Sequence, residues 1–133
     1  MRQIVFLFYA LFLGLFVSAC GGGHPAENAA ISFFNAAYKG NTDKMLALVP
    51  GIDMKKESEK SMAKGKLEMM AGQAKAQAEK KGGFKSVGID PDSKSEITEN
   101  SATVYLIVKF GDGSTQKERV RLLTENGAWK VKL

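Results

Sequence analysis

Residues 102–133 read ATVYLIVKF, GDGS, TQKERVRLLT, ENGA and WKVKL in unbroken succession. In the first block Ala102, Val104, Leu106, Val108 and Phe110 recur at every second position, and a strand's period of two puts them on one face. Its β-branched and aromatic content favours the same conformation. Gly111-Asp112-Gly113-Ser114 offers a hairpin turn, after which Thr115 to Thr124 returns with Val120 and Leu122. Glu125-Asn126-Gly127 forms a second turn, Asn-Gly being the preferred type I′ pair, and Trp129, Val131 and Leu133 alternate in a last strand. The product is an antiparallel meander with one apolar face that needs a cover.

Working outward, Phe84–Ile89 and Lys94–Thr98 read as two shorter strands around an Asp90-Pro91-Asp92 turn. The cover lies upstream. Pro25 suits a first helical turn, Ala30, Phe33, Phe34, Ala37 and Tyr38 follow at helical spacing to Lys39, and Gly40 is placed to end the helix. Asn41 or Thr42 caps a second helix over Asp43–Val49, stopped by Pro50-Gly51. From Asp53 to Lys81 the composition favours helix, with Ala63, Leu67, Met70, Ala74 and Ala78 in one apolar stripe. Gly65 and Gly72 each cost about 1 kcal/mol relative to Ala, so one kinked helix or two shorter ones are expected, with a break near Gly65. Helices first and a meander afterwards give an α+β domain: N-terminal helices packed on a curved antiparallel sheet of four to five strands. A chain of 133 residues has room for one modest domain, and about 110 residues fold without disulfides.

The N-terminus carries an address. Arg2 precedes an apolar run from Ile4 to Val17, matching the charged and hydrophobic regions of a secretory signal. The run to Ala19 falls short of the about 20 residues a spanning helix needs. Val17-Ser18-Ala19-Cys20 resembles the lipobox of bacterial lipoproteins, whose cysteine is diacylated and becomes the mature N-terminus. The only cysteine of the chain stands at that place. The expected organisation is a signal peptide at 1–19, a lipidated tether at 20–24 and a folded domain at 25–133. Gly21 after the cysteine implies, by analogy with enteric bacteria, sorting to the outer membrane facing the periplasm. Two or more acyl chains make such anchoring stable.

Tyr38-Lys39-Gly40-Asn41, the strand Val104–Phe110 with Gly111-Asp112-Gly113, and Leu122 through Asn126-Gly127-Ala128-Trp129-Lys130-Val131 are jointly uncommon. Together they resemble the small bacterial lipoprotein domains of unknown function in the cystatin-like, nuclear-transport-factor-like superfamily. The resemblance implies a curved sheet wrapped on a helix, a cone whose interior is a pocket or a filled core. Enzymes of that superfamily carry an Asp, His or Tyr in the cone. Here no His lies beyond His24 and the inward strand positions are nearly all aliphatic. Fold carries over; activity does not.

Candidate chemistry is sparse. Asp90 and Asp92, Glu96 and Glu99, and Asp112 sit in or beside turns, where carboxylates are solvated or bond the local backbone. Asp90-Pro91-Asp92 lacks the further ligands of a calcium loop. One His, read as a polar tether residue, leaves no metal site, and no cofactor or catalytic residue is assigned. Tyr38 and Tyr105 read as boundary residues or pocket donors. Met45, Met54, Met62, Met69 and Met70 read as core filling. Lys56, Lys60 and Lys64 form a like-charged ridge on a solvated helix face.

The chain has a formal charge of +5. If Val104, Leu106, Val108, Val120, Leu122, Trp129 and Val131 face the core, alternation puts Lys109, Lys117, Arg119, Arg121, Lys130 and Lys132 on the opposite side, with Glu118 turned inward and Tyr105, Ile107 and Leu123 sharing the outer face. Strand lysines also discourage edge pairing. The reading is a membrane-anchored, non-catalytic binding or interaction module whose basic sheet face, with Tyr105, meets an anionic envelope component or protein partner. Nucleic acid is set aside because an exported, lipid-anchored protein rarely meets it. A small-ligand carrier or degenerate enzyme using the cone interior, an immunity protein, and a homodimer across the outer face are the alternatives.

Overall fold

The computed structural model describes residues 23–133, so the signal segment, the lipobox and Cys20 lie outside the described residues. Helix α1 (Pro25–Lys39) is followed by α2 (Thr42–Ala47), a 3-10 turn at Ile52–Met54 and the long α3 (Glu57–Glu79). Five strands follow: β1 (Phe84–Ile89), β2 (Glu96–Ile97), β3 (Ser101–Phe110), β4 (Thr115–Glu125) and β5 (Ala128–Lys132). They form one antiparallel sheet in the order β1-β3-β4-β5, with β2 pairing β3.

The meander has the expected phase. Ala102, Val104, Leu106, Val108 and Phe110 are buried, and opposite them across β4 and β5 lie the buried Val120, Leu122 and Val131. Helix α1 covers this face with Ala26, Ala30, Phe33, Ala36 and Ala37, all buried. Four alanines let the helix axis come close to the sheet and leave room for α3 on its other side. Both ends of α1 are capped. His24 Nδ1 accepts from Ala26 N at 3.0 Å, Glu27 closes a capping box onto the His24 amide, and Gly40 takes the left-handed conformation at φ 74°. His24 therefore belongs to the helix cap, its ring edge-on to Trp129 at 5.7 Å, and is not a free linker residue.

Other local expectations give way to packing. Helix α2 ends at Ala47, two residues early, because Leu48 and Val49 turn their amides back to Met45 and Leu46. Helix α3 is unbroken through Gly65 and Gly72, since neither glycine faces anything that would interrupt the ladder. Its buried stripe is Leu67, Ala71 and Ala78, with Ala71 in the place expected of Met70. The alanine surface of α1 admits a small residue there and pushes the longer Met70 to the rim. Only Met45 is core; Met54, Met62, Met69 and Met70 are exposed. The expected strand Lys94–Thr98 shrinks to Glu96–Ile97, with Ser95 hydrogen-bonded to Glu27 and Thr98 to Ser101. Leu133 lies past the last strand and is exposed.

The α3–β1 turn crosses the β3–β4 hairpin backbone against backbone. Gly111 N donates to Gly83 O at 2.8 Å and Asp112 N to Lys81 O at 2.9 Å. A Cβ on Gly111 would stand 2.1 Å from Gly82 O, so no other residue fits without displacing main chain. Gly111→Ala is expected to destabilise by about 1–3 kcal/mol. Gly72→Ala, on the exposed side of α3, is expected to stabilise by about 0.5–1 kcal/mol. Urea unfolding followed by circular dichroism measures both.

Candidate functional site

The register that buries one face displays the other. Along the outer face Arg121 stands between Thr103 and Lys132, Arg119 opposite Tyr105, Lys117 opposite Ile107, and Leu123 between Ser101 and Lys130. Lys109 pairs with Ser86 of β1 and Thr115 of β4, and Ile107 with Gly88 and Lys117. All six basic residues read from the sequence share this face, with Tyr105 half-buried among them. Directly opposite side chains in a sheet are about 4.5–5.5 Å apart at Cβ, so Arg121 and Lys132 repel each other.

The six cations are not equivalent. Lys130 Nζ donates to Ala47 O at 2.8 Å, satisfying a carbonyl at the end of α2. Lys117 reaches across β3 to Asp90 at 3.5 Å and Asp92 at 3.8 Å. No carboxylate within those three strands joins the basic face, yet the β1–β2 turn brings two to it. Among the described residues, Lys109, Arg119, Arg121 and Lys132 have no carboxylate within 4.0 Å. Arg119, Arg121, Lys132 and Leu133 line a shallow depression of about 240 Å³.

Asp90 is buried, which its turn position did not suggest. Its Oδ1 accepts from Asp92 N at 2.9 Å, the local bond expected of a turn carboxylate. That amide, and behind it the Lys117 ammonium, hold its pKa below the ordinary value, while burial works the other way. Asp112 is simpler. The Ser114 hydroxyl at 2.5 Å and amide at 2.8 Å both donate to it and lower its pKa within an exposed turn.

The middle of the cone is filled, with Val104, Leu106, Val108 and Met45 all at 0% exposure. At the hairpin end Tyr38 stacks on Phe84 at 4.7 Å and meets Phe110 edge-on at 6.0 Å. Burial first, and then the Glu118 carboxylate, push the Tyr38 hydroxyl above its usual range. Gln116 donates to Glu118 and accepts from Lys81 Nζ at 3.3 Å, closing this end with polar groups. A depression of about 350 Å³ beside Tyr38 and Phe84 reaches Ala78 and Gly83 and is walled by Lys39, Lys75 and Glu79. The lysine ridge of α3 is partly partnered, Lys60 by Glu57 at 3.8 Å and Lys64 by Asp43 at 3.1 Å.

Ser95, Glu27 and His24 meet at the start of α1, but in the wrong order for nucleophilic chemistry. Ser95 Oγ donates to Glu27 at 2.8 Å, and the imidazole faces Ala26 N. A triad needs the imidazole between hydroxyl and carboxylate. Among the described residues no group of three or more His, Cys, Asp or Glu is placed to hold a metal ion. No described helix is long and apolar enough to cross a membrane.

Residues 18–132 match a family model described as a domain of unknown function, DUF4878. The chain belongs to the DUF4878 family. The DUF4878 domain is similar to a solved Campylobacter jejuni protein described as an NTF2-like transpeptidase, with TM-score 0.70 and 25% identity over 80% of this chain and 96% of that one. Helices against a curled antiparallel sheet are the NTF2-like architecture, as the terminal strand motif led us to expect. A SEC-C motif protein from Rhodopseudomonas palustris aligns over 75% of this chain and 69% of its own, at 15% identity and TM-score 0.44, too loosely to carry weight. No curated protein matches the chain.

The lowered Asp90 pKa implies an acid sensitivity that can be measured. A carboxylate whose folded pKa lies below its unfolded value near 3.8 adds stability that is fully present above that value and is lost as the pH falls through the folded one. Urea midpoints of the parent chain should therefore drop as the pH is lowered below about 4. In Asp90→Asn, which keeps an acceptor for Asp92 N, the slope should flatten and the neutral-pH midpoint should be lower.

Proposed function

We propose that this DUF4878 domain is a non-catalytic binding module, anchored through acyl chains on Cys20 to the bacterial envelope and facing the periplasm from the outer membrane. Its outer sheet face meets an acidic partner. The observation that carries this is the cluster of Arg119, Arg121 and Lys132, which no described carboxylate neutralises although two lie nearby on the same face. Like charges opposite one another in a sheet are destabilising, and an anionic partner offsets that cost on docking.

The C. jejuni relative's description raises acyl transfer. What speaks for binding is the chemistry present: the one His is spent on a helix cap, the one Cys is the proposed lipidation site, and Ser95 donates to the Glu27 carboxylate, with neither an imidazole nor an amine among its described hydrogen-bond partners. The middle of the cone is filled, and the cleft of about 290 Å³ that opens at Val49, Leu67 and Leu133 is lined mostly by apolar groups and, among the described residues, holds no hydroxyl, thiol or imidazole.

Two measurements test the proposal. Mass spectrometry of the native polypeptide should find a chain beginning at an acylated Cys20, and Cys20→Ser should leave the membrane fraction; a bare thiol or an unprocessed start removes the anchor. Arg119→Glu with Arg121→Glu should reduce recovery of crosslinked partners from intact envelopes at least about tenfold. Unchanged recovery rejects this face as the binding surface.

A further inference from the structure

On the same outer face, β1 carries a glycine that its backbone does not require. Gly88 has no left-handed φ, and a Cβ built on it meets nothing within 4 Å. Glycine inside a strand weakens it, and such glycines mark places where a ligand or another backbone comes close. The missing side chain opens a groove of about 410 Å³ lined by Ser86, Gly88, Pro91, Ile107 and Lys109, with further lining from Val87 and Ile89. Ile107 stands between Gly88 and Lys117 in the pairing and forms the apolar floor. Lys109 rims one end. The other lies toward Pro91 and the Lys117–Asp90 bridge.

We infer that this groove receives an apolar side chain of an extended acidic polypeptide, whose carboxylates engage Lys109 on one side and Arg119, Arg121 and Lys132 on the other. The inference rests on the basic-face proposal and specifies its partner. Four considerations select this occupant. The groove is apolar, Lys109 rims one end, and Arg119, Arg121 and Lys132 lie beyond the Lys117–Asp90–Asp92 cluster at the other, so a ligand reaching all of them carries apolar and acidic character. In the register Arg121 lies opposite Thr103, six residues along β3 from Lys109, and Lys132 is one strand further out, so the cations at the two ends are about 22 Å apart, which an extended segment of about seven residues spans. A second copy is disfavoured, because two such faces set against each other oppose cations to cations. A flat anionic lipid surface would leave the groove empty.

The test uses the full chain in detergent micelles and fluorescein-labelled peptides alternating Glu with Leu or Phe, alongside the same peptides with Ser at the apolar positions. Polyphosphate and phosphatidylcholine vesicles with and without phosphatidylglycerol serve as polyanions of other kinds. The Leu and Phe peptides should bind at least about tenfold more tightly than the Ser peptides, and Gly88→Val should remove that advantage without lowering Tm. Gly88→Ala, a smaller infill, should give a partial loss. Arg119→Glu with Arg121→Glu should weaken every peptide. Equal affinity for Leu and Ser peptides, no binding below about 1 mM, or indifference to both Gly88 variants overturns the groove. If polyphosphate or anionic vesicles bind as well as the Leu peptide and only the arginine variants reduce it, the basic face stands and the acidic-peptide inference falls. Indifference to the arginine variants as well fails both.

Discussion

Everything in this domain depends on the phase of β3. It is the interior strand that pairs with β1, β2 and β4, and alternate residues from Ala102 to Phe110 are buried beneath α1. A slip of one residue in a sheet moves every side chain to the other face. Here it would drive Lys109 and Tyr105 against the alanines of α1 and expose Val104, Leu106 and Val108. The same phase, carried through the turns, aligns Arg119, Arg121 and Lys132 on the outer surface. The core and the candidate binding face are thus two sides of a single constraint.

The constraint is reinforced where strands would otherwise drift. Lys117 and Asp90 tie β4 to the end of β1 across β3, and Asp90 N donates to Tyr105 O. Glu125 accepts from Gly51 N at 2.6 Å and Val131 N donates to Leu48 O, which fasten the α2–α3 segment to the far edge. Glu27 joins the start of α1 to the β1–β2 connection through Ser95. Each tie spans many residues of sequence, so each closes a large loop whose entropic cost the buried core offsets.

How much of this is legible in the chain follows from the range of each interaction. Strand phase, the Asn-Gly turn, the Gly40 stop and the composition of the basic face depend on neighbours one to four residues apart, and they are readable. The α3 stripe is not, because whether Met70 or Ala71 turns inward depends on the alanine surface of a different helix. Asp90 and Lys117 are separated by 27 positions and meet only when β3 stands between them. His24 looks like linker until Trp129 packs beside it. Gly88 is the instructive case: the sequence shows a glycine in a strand, but only the open space above it reveals that local geometry gives no reason for it.

Natural sequences agree with their folds at most positions and depart from local rules where something else is being selected. On the outer face two departures coincide: Arg121 directly beside Lys132, and a glycine inside β1 with neither a turn nor a close approach to justify it. Either alone has an ordinary explanation, a lysine that keeps an edge from pairing or a strand that tolerates a weak position. Both on one face, with an apolar hollow at one and unneutralised charge at the other, are accounted for together by a ligand that is acidic and apolar at once. On the inner side the glycines and polar groups are explained by the backbone crossing at Gly82 and Gly111 and by the Lys81–Gln116–Glu118 closure, and among the described residues the cleft of about 290 Å³ at Val49, Ala63, Leu67 and Leu133 carries no unpaired cation cluster of the kind seen outside. That asymmetry is what favours the outside of the sheet as the proposed binding face.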